Sequence, residues 1–261
     1  MDPFWVLLVV AVPAVLAGAV LLVKRRAAGS VALALAVISG ILITFHESLR
    51  TEVAARLAFV ALAAAPVGAI SRAGIRLPLL AVVSALAPAI VLYAVPHETL
   101  SVGQKIGWGA LEAAIVAASA VSLDLWSARW QSLAVPINLW ALASGGSAAV
   151  LLGHYLGGAL LAGAVAAGLG ALAVLSWWRP FPDRVPGAVP VVATVLAGIW
   201  LCGYHFADLP ASSGFLLGLA PLGVWVGELT KRRWLTPVAL LVPVAVAIAL
   251  SAHANPSYSG E

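Results

Sequence analysis

Apolar runs of about 18 or more residues follow one another from end to end of this 261-residue chain, each long enough to cross a hydrocarbon core of roughly 30 Å as a helix. In lipid every backbone N–H and C=O has to find a partner within the spanning structure, so only helices and closed barrels cross. A barrel strand needs about ten residues that alternate apolar and polar. Stretches such as LLAGAVAAGLGALAVLSWW (160–178) do not alternate. Charged residues make up 9% of the chain, against about 25% in a soluble domain, which excludes a water-soluble fold. The fold class is an all-α polytopic membrane protein.

Reading the apolar windows against their breakers predicts ten spans, at about 4–23, 30–46, 53–70, 77–95, 105–122, 131–152, 156–177, 187–206, 212–229 and 233–252. The connections are short and leave no room for an extramembrane domain, so the expectation is a single transmembrane domain over 1–261 in one compact bundle. The N-terminal MDPFWVLLVV lacks the positive region and cleavage site of a signal peptide and reads as a retained first span.

The net charge of +4 follows a topological pattern. Eleven basic residues, among them Lys24, Arg72, Arg76, Arg129, Arg179 and Arg233, fall after odd-numbered spans, and three (Arg50, Arg56, Lys105) fall near the other side. The positive-inside rule then puts the basic loops in the cytoplasm and both termini outside, in a cell membrane of the bacterial inner type. Trp126, Trp130, Trp177, Trp178 and Trp234 cluster at the basic ends, where indoles favour the interface. Basic residues spread through loops argue for lipid as the partner and against nucleic acid. The single cysteine, Cys202, excludes a disulfide framework within the chain.

With that orientation, all five histidines close even-numbered spans. His46, His97, His154, His205 and His253 are separated by 51, 57, 51 and 48 residues. Two stand in nearly identical phrases, HESL at 46–49 and HETL at 97–100, which bring Glu47 and Glu98 with them. Hairpins of similar length explain the period, since only the loops hold polar groups. For the choice of histidine, three chemistries and one structural account are open. Imidazole and carboxylate together suit a divalent metal, with His46, His97, Glu47, Glu98, His154 and His205 as candidate ligands. Imidazole also carries protons between about pH 5 and 8, and a histidine pair holds haem. The structural account is a ring hydrogen-bonded to the last carbonyls of its helix. Adjacent His and Glu do not share a helix face, so one phrase is a poor chelator, whereas two from neighbouring hairpins make four ligands.

Inside the spans, Glu112 is the clearest ionisable group, and a charge in lipid is a functional hypothesis by default. Lys105, Gly109, Glu112, Val116 and Ser119 fall on one helical face. The structural alternative is a buried carboxylate hydrogen-bonded to a neighbour or paired with Arg56. The sixth span carries Pro136, Asn138, Ser144, Gly145, Gly146 and Ser147, with SGGS near mid-membrane. Such a stretch either breaks the helix to hold a solute or lets helices approach closely.

Ten spans divide as five plus five, with halves 1–130 and 131–261, the second inverted. AVP at 11–13 and 134–136, and LAP at 86–88 and 219–221, fall in matching spans, although AVP also recurs elsewhere. In size, span number and five-plus-five build the chain resembles the drug/metabolite transporter architecture, a fold-level likeness that covers no specific motif. Enzyme signatures are missing: there is no phosphate-binding Gly-Lys loop, no HExxH and no G-x-S-x-G. The expectation is a small, proton-coupled permease for a small solute or cation, with Glu112, Asn138, Ser144 and Ser147 along its path. The alternative is a non-catalytic subunit of a larger membrane complex, with metal or haem at the outer edge.

Overall fold

The computed structural model describes residues 3–21, 27–46, 52–96, 98–130, 132–178 and 184–255. Among these the chain is helical, without strands. The helices are α1 Pro3–Leu21, α2 Ala27–Thr44, α3 Leu57–Ala69 (preceded by a 3-10 turn, Ala54–Arg56), α4 Ala73–Ser84, α5 Leu86–Ala94 and α6 Val102–Arg129. They continue with α7 Ala134–Leu152, α8 Leu156–Trp178, α9 Arg184–Phe206, α10 Ala211–Leu219, α11 Val224–Leu229 and α12 Leu235–Ala254. Eight segments are long and apolar enough to cross a membrane when α4 with α5, and α10 with α11, count as one each; the shorter apolar Leu7–Leu21 and Ala54–Ala69 match the first and third predicted spans. Large apolar side chains point outward along the bundle, among them Leu7, Phe59, Tyr93, Ile106 and Val174. A soluble surface does not tolerate contiguous patches of that kind. The protein is a multi-pass integral membrane protein.

α9 is the central helix. Of its apolar window 89% is buried, and it packs against α2, α3, α5, α6, α8 and α10. Close approach to it is made possible by missing side chains: a Cβ on Gly68 of α3 would lie 2.1 Å from the Gly187 carbonyl oxygen, so only glycine fits there. α1 lies on α2 and α8, and α7 lies between α8 and α12. We call the end where α6 begins the upper end and the end where it closes at Arg129 the lower end.

Two spans are interrupted, and the same tripeptide stands at both interruptions. In the fourth span a turn at Ala85 separates α4 from α5, which opens Leu86-Ala87-Pro88. In the ninth, α10 closes at Leu219 and a 3-10 segment, Ala220–Gly223, carries Pro221 before α11. Proline has no N–H for the carbonyl four residues back; Pro88 falls in the first turn of α5 and Pro221 in the 3-10 segment, where that bond is not needed, and the axis restarts at each. The two breaks lie at a similar distance from the upper end, since α5 and α10 have nine residues each, about 14 Å of rise.

The sixth span, by contrast, is a continuous helix, α7, through Ser144 to Ser147. Its glycines serve close packing. A Cβ on Gly145 would lie 2.4 Å from a Val244 methyl of α12, and one on Gly146 would lie 2.6 Å from the Trp200 indole nitrogen of α9. Ser147 Oγ donates to the Ala159 carbonyl of α8 at 2.7 Å, which joins the two helices. The broken-helix reading of SGGS gives way to the packing reading for this reason.

Candidate functional site

α6 is the longest helix, with 28 residues, and it opens with a capping box in which Ser101 and Gln104 satisfy each other's backbone N–H groups. Lys105 Nζ donates to the Val95 carbonyl at the end of α5, which fixes the upper end of the helix. The hydropathy pattern ends this span near residue 122, whereas the helix runs on to Arg129. The extra two turns contain a fully buried acid, Asp124.

Asp124 belongs to a buried ion pair that sequence reading missed. Arg76 Nε and Nη2 both donate to Asp124 Oδ2, at 3.0 and 2.9 Å, and Arg76 Nη1 donates to the Ile70 carbonyl at 3.0 Å. Arg76 is 3% exposed. The loop reading of Arg76 therefore fails for a physical reason: on the first turn of α4 it faces α6, and a carboxylate meets it there. A lone Asp among Leu, Trp and Ser in 122–127 was the available signal.

About two turns below the α6 capping box, Glu112 is 5% exposed. Its Oε1 lies 2.8 Å from His205 Nε2, with both side chains buried. Arg56 is not the partner. A carboxylate in hydrocarbon costs about 2.5–3.5 kcal/mol, and a hydrogen-bonded imidazole on a neighbouring helix offsets part of that. The second oxygen, Oε2, is buried without a hydrogen-bond partner. His205 sits in the last turn of α9, and its ring meets that of Tyr204 edge-on at 4.7 Å.

Beside this pair is a cavity of about 50 Å³ between α6, α9 and α10, bounded by Glu112 and by the rings of Trp108, Trp200, Tyr204 and Phe215. A smaller chamber of about 20 Å³ follows toward the lower end. The two share Val116, Ala197, Trp200 and Gly218 as walls, and the lower one reaches Ser119 and Pro221. They meet at the break in the ninth span. Ser119 Oγ donates to the Gly218 carbonyl at 2.6 Å, in the last turn before the 3-10 segment. Below it, Trp225 Nε1 donates to Ser122 Oγ at 2.9 Å and Trp130 Nε1 donates to Glu228 Oε1. Arg129 lies over the Trp225 ring at 5.3 Å and Arg233 over Trp130 at 4.7 Å, so the interrupted span is bound to α6 along its length.

The sequence-predicted residues separate into groups. Glu112 and His205 come together. His154, at φ 59° in the turn after α7, lies 3.2 Å from Asp208 in an exposed pair. His46 Nδ1 lies 3.2 Å from the Ile43 carbonyl, the helix-end arrangement. Glu98 is exposed in a turn, while Glu47 and His97 lie outside the described residues. Among the described residues no three of His, Cys, Asp and Glu gather as metal ligands. On α7, Asn138 is buried and Ser147 is tied to α8; neither they nor Ser144 line the two chambers, where α7 contributes Leu142. Trp108, Tyr204 and Phe215 were missed, because aromatics at helical spacing read from sequence as lipid anchors.

No family model, no curated protein and no solved structure matches this chain.

Proposed function

We propose that the protein is a small proton-coupled permease for a small solute or cation, with Glu112 as its proton-exchanging group. The observation that carries this reading is the buried Glu112–His205 pair, whose carboxylate residue lines a cavity beside an interrupted helix and has one oxygen without a hydrogen-bond partner. Transport sites lie where spans are discontinuous, and interruptions in corresponding spans of two halves are the sequence pointer to them. The fourth and ninth spans correspond under a five-plus-five division, and both restart at Leu-Ala-Pro. We further read the upper end as non-cytoplasmic, on the bias of Lys and Arg toward the loops of the other end.

The test is reconstitution of the full chain in proteoliposomes that enclose a pH-sensitive dye. A solute gradient should move protons, and Glu112→Gln should abolish the movement. Solute uptake that leaves internal pH unchanged would sink the proton-coupled reading. Orientation is read by labelling single cysteines placed at Thr99 and Lys231 in a Cys202→Ser background, with only the Thr99 position reactive from outside intact cells.

A further inference from the structure

Resting on the permease reading, we infer that the solute is a small organic cation, a protonated amine or quaternary ammonium of a few carbon atoms, bound between Glu112 and the aromatic rings of the upper cavity. The wall excludes the other solute classes one by one. No basic side chain lines it, so an anion finds no partner. Outside Glu112 and the aromatic residues, its lining is Ile, Val, Ala, Leu and Gly, so a sugar or other polyhydroxylated solute would leave most of its hydroxyls without hydrogen bonds, at full desolvation cost. A bare metal cation prefers a shell of several oxygens, whereas Glu112 is the one carboxylate residue in this lining.

What remains is a positive charge on an apolar body. An ionised carboxylate is acceptor-only, and Glu112, with Oε1 held by His205, stands in the cavity wall, where its charge attracts a cation. The rings serve the rest of such a molecule. Trp108 lies 6.5 Å from Tyr204 at 58° and 6.4 Å from Phe215 at 45°, so it stacks flat on neither. Cations sit over aromatic faces within about 6 Å of the centroid, and cages of this composition recognise alkylammonium groups. The cavity of about 50 Å³ exceeds the roughly 10–15 Å³ that one water needs, and it suits a few carbon atoms.

The experiment is calorimetric titration of the full-length protein in nanodiscs with n-propylammonium and tetramethylammonium, set against n-propanol as the neutral isostere. The expected result is saturable binding of both cations and none of n-propanol, lost in Glu112→Gln and weakened about tenfold in Trp108→Leu and Phe215→Leu. Should Glu112→Gln fail to fold, the two wall variants decide the matter, since neither ring takes part in the ion pair. Equal binding of n-propanol, or cation affinity indifferent to Trp108→Leu and Phe215→Leu, overturns the inference. The same protein in dye-loaded proteoliposomes separates this from the reading beneath it. Cation binding without proton movement overturns the permease and leaves the cation site. Proton movement driven by another solute, without n-propylammonium binding, overturns the cation site alone.

Discussion

Asp124 and Glu112 stand on the same helix, about 18 Å apart along its axis, and each is buried against a basic side chain from another helix. Arg76 reaches Asp124 with two nitrogens and uses a third on the Ile70 carbonyl, so the guanidinium is held on several sides. His205 touches Glu112 through one nitrogen, and an empty space adjoins the pair. The chemistry of the two bases differs in the same sense. Guanidinium keeps its charge at any accessible pH, so the lower pair is a fixed ion pair. Imidazole is a common proton carrier, which is why the proposed proton exchange is assigned to the upper pair. One pair is a fastening, and the other is the place of the proposed proton exchange.

Removing the carboxylate charge from each pair is the sharpest way to break this contrast. Asp124→Asn leaves a buried guanidinium uncompensated, and breaking such a pair costs about 3–5 kcal/mol. Its melting midpoint should fall steeply. Glu112→Gln leaves an amide that still hydrogen-bonds an imidazole, so its stability should change by about 1 kcal/mol, while solute-driven proton movement falls roughly a hundredfold or more, as for loss of a general acid–base group. The comparison fails if Glu112→Gln is the less stable protein or if Asp124→Asn loses transport at unchanged stability.

Replacing both partners by apolar residues sharpens it further. Buried ion pairs are often no better than well-packed hydrophobic groups. The double variant Arg76→Leu with Asp124→Leu should therefore recover most of the stability lost in either single change, to within about 1–2 kcal/mol of the parent, and retain transport. Glu112→Leu with His205→Phe should fold and be inactive. Thermal denaturation and proteoliposome flux on the four single and two double variants form two mutant cycles, and a functional lower double is the informative outcome.

The spans were legible in the sequence because hydropathy and breakers are local properties. Each of the ten predicted windows coincides with a helix or a pair of helix fragments. Glu112 was legible for a related reason, since an acid within an apolar run has to be partnered inside the bundle. Its partner was not, because His205 lies 93 residues away and hydropathy says nothing of which helices adjoin. The same blindness hid Asp124. The window closed at 122 because a charge ordinarily marks a loop, and only a neighbour such as Arg76 makes it an interior residue. Sequence alone left SGGS open between a break and close packing, since small residues serve both, and only the neighbours Val244 and Trp200 decide for packing. Both interruptions carry Leu-Ala-Pro, yet proline alone is no marker, since Pro13, Pro66, Pro78, Pro190 and Pro243 stand inside continuous helices.

Smaller effects follow from the helix crossings. In Gly68→Ala the new methyl would lie within 2.1 Å of the Gly187 carbonyl oxygen, and overpacking of this kind costs about 1–3 kcal/mol. Gly74, on the outer face of α4, has nothing within 4 Å of its would-be Cβ. Gly74→Ala should be stabilising by up to about 1 kcal/mol, the helix-propensity difference. Matched melting curves of the two variants show whether α3 and α9 are in contact.

The exposed His154–Asp208 pair gives the smallest expected effect and completes the comparison at the water interface. Asp208 is 70% exposed and its partner 34%, so water screens their attraction, and such pairs contribute about 0–1 kcal/mol. The turn has other supports: Asp208 N donates to the Gly153 carbonyl at 3.0 Å, and Asn255 Nδ2 donates to the Leu152 carbonyl at 3.0 Å. These backbone contacts survive Asp208→Asn, which should shift stability by less than about 1 kcal/mol and leave proton movement unchanged. The His205–Glu112 pair also joins an imidazole to a carboxylate at a similar distance but is buried, so its loss should register in flux where this one does not. Equal effects on transport from Asp208→Asn and Glu112→Gln would mean that burial is not what distinguishes the two pairs.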